Sequence, residues 1–170
     1  MLHPLHLALV VQARYPLNHS EGLVQGGSMK ARVKWVEGMT FTGESGSGHA
    51  IVLDSAPENG GRNLGIRPME LMLMGLAGCT AFDVVLILQR GRQPVSDCVV
   101  EVDADRAPVD PKVFTKIHLK YTLSGSGLSP EKVERAIQLS KEKYCSASIM
   151  LGQVAEITHS WTVDPREAHS

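Results

Sequence analysis

Three thiols are the side chains of this sequence with the most chemistry to offer: Cys79, Cys98 and Cys145. A cysteine is a nucleophile as its thiolate, and a pair can pass through a sulfenic acid to a disulfide. Cys98 falls in the apolar phase of an alternating stretch and reads as a small buried hydrophobe. Cys79 lies inside a long apolar segment. At about 100° per residue it shares a helix face with Met72, Gly75, Asp83 and Leu86. Burial, and the carboxyl of Asp83 one turn on, both work against a thiolate there. A reactive Cys79 therefore needs a cation beside it, and its own helix face supplies none. Arg67 and Arg62, in the loop before the helix, are the nearest candidates, from this chain or from a partner chain. On spacing alone the inert reading of both thiols stays open.

Other chemistries find less support. The seven histidines show no metal-ligand spacing, so no metal site is expected. The Gly-rich stretches Ser45-Gly46-Ser47-Gly48 and Gly60-Gly61 precede no helix with a phosphate-binding pattern, which leaves no bound nucleotide cofactor to expect. A net charge of −1, from 17 basic and 18 acidic residues, provides no basic excess for a nucleic-acid partner. An odd number of cysteines, 3 in 170 residues, is no secreted disulfide framework and points to the reducing cytoplasm. With 43% hydrophobic and 21% charged residues, the composition is that of one globular domain.

Period-2 alternation marks the strands that must carry these thiols. Ala31, Val33 and Trp35 alternate with Arg32 and Lys34, as in a half-buried strand. Met39 and Phe41 continue beyond a break at Gly38, and residues 49–54 form a third short strand. Residues 54–67 read as a loop. Pro68 then opens a long helix, with Glu70 in its first turn and Gln89-Arg90-Gly91 at its end. Residues 71–88 carry a single charge, Asp83, so a membrane span is weighed. It is set aside, because an ionised group is costly in lipid and the flanking strands are amphipathic. A helix apolar on nearly every side reads instead as the buried centre of a fold or of a dimer. Two further strands, 98–105 and 113–123, form a hairpin. Ser129-Pro130-Glu131 starts a second helix running to about Cys145, and a last strand covers 154–163. This order predicts an α+β fold with mostly antiparallel pairing. The methionines 39, 69, 72, 74 and 150 read as flexible core filling. Residues 1–28 read as an N-terminal extension, 29–165 as the domain and 166–170 as a tail.

Three blocks together carry a resemblance. Pro68-x-Glu70-Leu71, Gly75-Leu76-Ala77-Gly78-Cys79-Thr80 and Asp83-Val84-Val85 stand on one apolar helix. Lys143-Tyr144-Cys145 follows the Ser129-Pro130-Glu131 helix, and the tail reads Ile157-Thr158-His159-Ser160-Trp161. Over about residues 29–163 the chain resembles the OsmC/Ohr family of osmotically inducible and organic hydroperoxide resistance proteins, closest to its YhfA-like branch. The resemblance implies an intertwined homodimer, with the long helices buried at the centre and sheets outside. It implies a thiol-dependent peroxidase for organic hydroperoxides. Cys79 would be the peroxidatic thiolate, and Cys145 would resolve its sulfenic acid to a disulfide. No cofactor is implied beyond an external thiol, dithiol or lipoylated-protein reductant. The family pairs an arginine and a glutamate to activate the thiolate. Here Met69 stands where the glutamate directly follows the proline in the best-studied branches, so Glu70 takes that place one residue late. Residues 36–54 hold no arginine where the family has one, so Arg67 is the candidate substitute. Arg67 also reads as a plain helix-entry residue and Glu70 as a first-turn helix acid, and Ser146 replaces a proline after the second cysteine. The alternative is a non-catalytic OsmC-like dimer that binds a ligand or senses redox state.

Overall fold

The structure is a computed structural model that describes residues 28–164. The expected extension over 1–28 and tail over 166–170 fall outside the described residues except for Ser28. Strands β1 (Ala31–Glu37), β2 (Thr40–Ser45) and β3 (Ala50–Leu53) precede helix α1 (Pro68–Arg90). Strands β4 (Asp97–Arg106) and β5 (Phe114–Ser124) follow, then α2 (Pro130–Leu139), a π-helical turn (Ser140–Tyr144), α3 (Ser146–Leu151) and β6 (Glu156–Asp164). The chain divides between Leu71 and Met72 into two compact units.

In the first unit β1, β2 and β3 form an antiparallel sheet in that order. Gly38 turns the first hairpin at φ +51°, and its carbonyl accepts the Trp35 indole N–H at 2.8 Å. The expected strand at 31–37 forms, but it is exposed along its whole length rather than half-buried, with Trp35 61% accessible. Its alternation is real, but among the described residues nothing covers the apolar face. The 54–66 loop is closed by Asp54. This buried carboxylate accepts the backbone N–H groups of Ser55, Arg62 and Leu64 at 2.8, 3.1 and 3.0 Å. Those bonds, Leu64's foremost, hold its carboxyl below the usual range. Two glycines let the loop fold back on itself: a Cβ on Gly61 would stand 2.0 Å from the Ser55 carbonyl oxygen, and one on Gly65 2.4 Å from that of Val52.

The second unit is built on the sheet β4-β5-β6. β4 and β5 are antiparallel as expected. β6 runs parallel to β5, opposite in sense to the other pairings, with Tyr121 beside Trp161. The intervening α2 and α3 make this a crossover connection, which a parallel pair requires. The alternating residues Ile117, Leu119, Tyr121 and Leu123 of β5 are buried, as are Val133, Ala136 and Ile137 of α2. Ser129 caps α2 by accepting the Lys132 N–H at 3.3 Å, and Trp161 donates its indole N–H to Glu134.

Helix α1 buries a single stripe, Leu76, Thr80, Val84 and Leu88, one residue per turn. Its other positions are half-buried or exposed among the described residues, with Phe82 73% and Met74 59% accessible. The reading of the methionines as core filling is therefore corrected for 39, 72, 74 and 150, all exposed. On α1, Met74 lies off the 76/80/84/88 row, whereas Met72 continues that row one turn toward the N-terminus, beyond its last buried residue, Leu76. With a mean hydropathy of 2.2, α1 is long and apolar enough to cross a membrane by length and composition. A core helix passes the same test, and α1 commits Thr80 and Asp83 to polar partners inside its own unit.

Candidate functional site

Cys79, Asp83 and Cys145 converge in the second unit. The two sulfurs and a carboxylate oxygen of Asp83 all lie within 4.8 Å of one another, and neither sulfur is in a disulfide. Cys79 and Asp83 are one turn apart on α1, partly exposed, whereas Cys145 is fully buried. Cys145 reaches them because α2 loosens into the π-helical turn. The Cys145 N–H bonds the Ser140 carbonyl five residues back at 2.8 Å, and the chain then turns to extended backbone at ψ 99°. Such one-turn widenings re-aim the side chains that follow them. The Cys145 sulfur caps α3, accepting the Ser148 N–H at 3.4 Å.

A chain of buried hydroxyls holds this arrangement. Ser140 donates to Asp83 Oδ2 at 3.1 Å, Thr80 Oγ1 lies 2.9 Å from the Ser140 hydroxyl, and Tyr121 OH lies 2.7 Å from Thr80. Each hydroxyl has one proton, which sets the direction. Ser140 spends its proton on Asp83, so Thr80 must donate to Ser140 and Tyr121 to Thr80. The phenol thus keeps its proton, and burial pushes Tyr121 up to about 12, against the opposing Thr80 bond. None of the polar groups in this cluster is cationic.

The thiols differ in character. Burial pushes the Cys145 thiol up, and the neighbouring Cys79 adds to that. The backbone N–H and the hydroxyl of Ser148 oppose it, the hydroxyl being buried without a hydrogen bond of full geometry. Burial and Asp97 push Cys98 up to about 11, so Cys98 on β4 is a protonated, unreactive thiol, as its strand phase suggests.

The other two expected site residues, Arg67 and Glu70, lie in the first unit and pair with each other. The Arg67 guanidinium meets Glu70 Oε1 at 2.9 Å, and Glu70 Oε2 accepts the Arg67 backbone N–H at 3.0 Å. Arg67 also reaches Asn63 at 3.5 Å. The Arg67 backbone N–H, then its side chain, hold the Glu70 carboxyl below the usual range. This is half of a capping box, with the acid at the third helical position reaching back to the residue before Pro68. Arg62, the other candidate cation, pairs with Glu37 and Thr40. The expected site residues thus come together two by two: Cys79 with Cys145, and Arg67 with Glu70. Thr80, Ser140, Ser148 and Tyr121 had no part in the expectation. The available signal was Thr80 itself, a hydroxyl four residues from Leu76 and from Val84 on an apolar helix, where burial demands a partner.

Comparison with known proteins gives the chain's relatives and its fold. Residues 60–160 match the family described as OsmC-like protein. Protein YhfA of Escherichia coli K12 is 50% identical over 135 residues, spanning 79% of this chain and 98% of YhfA. A crystal structure of a protein from Aquifex aeolicus superposes with a TM-score of 0.73 at 28% identity, covering 84% of this chain and all of that one. The organic hydroperoxide resistance protein OsmC of Legionella pneumophila superposes with a TM-score of 0.62, covering 81% of this chain and 98% of that one. At 17% identity that likeness concerns the fold alone.

Thr80→Val retains the shape of the side chain but leaves the Tyr121 and Ser140 hydroxyls short of a partner. Chemical denaturation should show a loss of about 1–3 kcal/mol. Thr80→Ser, which keeps the hydroxyl, should recover most of it; equal losses in both would mean the chain of hydroxyls contributes nothing.

Proposed function

The chain belongs to the OsmC-like family, and on that premise we propose that it is a thiol-dependent peroxidase that reduces organic hydroperoxides. The observation that carries this reading is the approach of two sulfurs to within 4.8 Å from separate elements. Disulfide formation requires a short side-chain rotation from such a start. Cys79, the more exposed of the two, is the nucleophile. Its thiolate attacks the distal hydroperoxide oxygen, the O–O bond breaks, and the alkoxide takes a proton and leaves as the alcohol. Cys79 is left as a sulfenic acid. The Cys145 sulfur then attacks it, and the sulfenic hydroxyl leaves as water with the Cys145 proton. An external dithiol returns two electrons and two protons to the disulfide. Burial of Cys145, which pushes its thiol up, suits the resolving role rather than that of first nucleophile. Arg67 and Glu70 would have to exchange each other for a thiolate to take up the family's activating role; as placed, they satisfy each other at the start of α1. The free thiols of a working enzyme fit the cytoplasm.

The reading includes a homodimer. Leu71, Gly75, Gly78 and Phe82 follow one another on α1 at the four-three-four spacing of a helix seam, all exposed in the single chain. A Cβ on Gly75 or Gly78 would meet nothing within 4 Å, so the seam has room for a close-approaching helix. A second copy of the chain is the occupant proposed. Sedimentation should give twice the chain mass, and Phe82→Glu should return it to the single mass; a monomeric parent would contradict this.

Peroxide consumption tests the catalytic reading. The reduced protein should consume cumene or tert-butyl hydroperoxide with dithiol in excess. Cys79→Ser should fall by roughly a thousandfold or more. Without dithiol, Cys145→Ser should consume one hydroperoxide per chain and hold Cys79 as its sulfenic acid, forming no intrachain disulfide, while Cys98→Ser should match the parent. Full consumption by Cys79→Ser would remove the assignment, and a disulfide without turnover would favour a redox sensor.

A further inference from the structure

We infer that Cys79, Asp83 and Cys145, when both thiols are reduced, form a binding site for a thiophilic divalent cation, with zinc the best fit. Two sulfurs and one carboxylate oxygen within 4.8 Å of one another are a three-ligand set. Thiolate ligands select zinc or cadmium over magnesium and calcium, and a single carboxylate completes a set that zinc accepts. Tetrahedral zinc with bonds to sulfur of about 2.3 Å holds its sulfurs about 3.8 Å apart. From the observed upper bound of 4.8 Å, closing on an ion shortens the sulfur pair by at most about 1 Å and each sulfur-to-oxygen distance by at most about 1.3 Å.

The surroundings resemble those of a built metal site. Ligating carboxylates work best when an outer partner fixes them, and Asp83 receives the Ser140 hydroxyl, itself fixed through Thr80 to Tyr121. Two ligands come from one turn of a rigid helix. The third caps a different helix, so an ion would tie α1 to the segment after the π-helical turn. Three protein ligands leave a fourth position for water or an exogenous ligand, on the side where Cys79 and Asp83 are partly exposed. Expecting no metal from the histidine spacing overlooked this set because it contains no histidine and draws on distant segments.

Both sulfurs cannot bind an ion and each other. The cation and the disulfide are therefore exclusive states of one site, and bound zinc would hold the thiols out of redox chemistry. As regulation, this rests on the peroxidase reading; as binding, it needs only two reduced thiols.

The test uses the reduced full chain under anaerobic conditions, titrated with zinc against a chromogenic chelator. A parallel cadmium titration reads the thiolate-to-metal absorption. One ion per chain is expected, unchanged in Cys98→Ser. Binding should be at least about tenfold weaker in Asp83→Asn. It should be lost in Cys79→Ser and in the parent after oxidation to the disulfide, a comparison that needs no substitution. Circular dichroism confirms that each form is folded. No zinc bound by the reduced parent, equal binding by Asp83→Asn, or binding that survives loss of the thiols would overturn the site. Zinc stoichiometry is read without peroxide, so its failure and a failure of turnover are separate results.

Discussion

Thr80 gives its proton to Ser140 and receives that of Tyr121, and through Ser140 the chain of hydroxyls ends on Asp83. Buried hydroxyls are tolerated only when paired, so these four residues fix α1, β5 and the π-helical turn in a single mutual register. Once they are fixed, little freedom remains for the sulfurs. Cys79 is the residue before Thr80 on the helix. Cys145 is tied through its own N–H to the Ser140 carbonyl. Ser140 is thus held by its side chain on one side and by its backbone on the other. The juxtaposition of thiols is a consequence of a polar chain that must close.

A second constraint is what the described residues leave uncovered. α1 buries one stripe of four residues and exposes Leu71, Met72, Met74 and Phe82, while β1 is exposed throughout. Apolar surface of that extent on a long helix and a strand is unfavourable in water. The homodimer proposed above covers the α1 face and leaves the packed stripe as it is.

Local elements were legible in the sequence wherever a short-range rule decides them. Pro68 and Glu70 mark the start of α1, Ser129-Pro130 marks that of α2, and period-2 alternation locates the strands. What alternation cannot convey is what covers the marked face, and so β1 was expected half-buried. Nor does it convey strand direction, and β6 proved parallel to β5. The short α3 escaped notice because its cap is a cysteine, a type that seldom caps helices. At the site, the pairing of Cys79 with Cys145 was legible through family resemblance and not through spacing. The hydroxyl chain was legible only at Thr80, because the meaning of Ser140 and Tyr121 arises from segments distant in sequence. Arg67 and Glu70 were expected as thiolate partners, but half of a capping box and their own ion pair satisfy both residues locally.

The fold brings the Cys79 and Cys145 sulfurs to within 4.8 Å of each other, and peptide mapping after mild hydroperoxide treatment tests their pairing. Under non-reducing conditions, the peptides bearing Cys79 and Cys145 should be found linked within one chain, lighter by two hydrogens, with Cys98 still open to alkylation. Linkage through Cys98, linkage only between chains, or full alkylation of Cys79 and Cys145 after oxidation would contradict it.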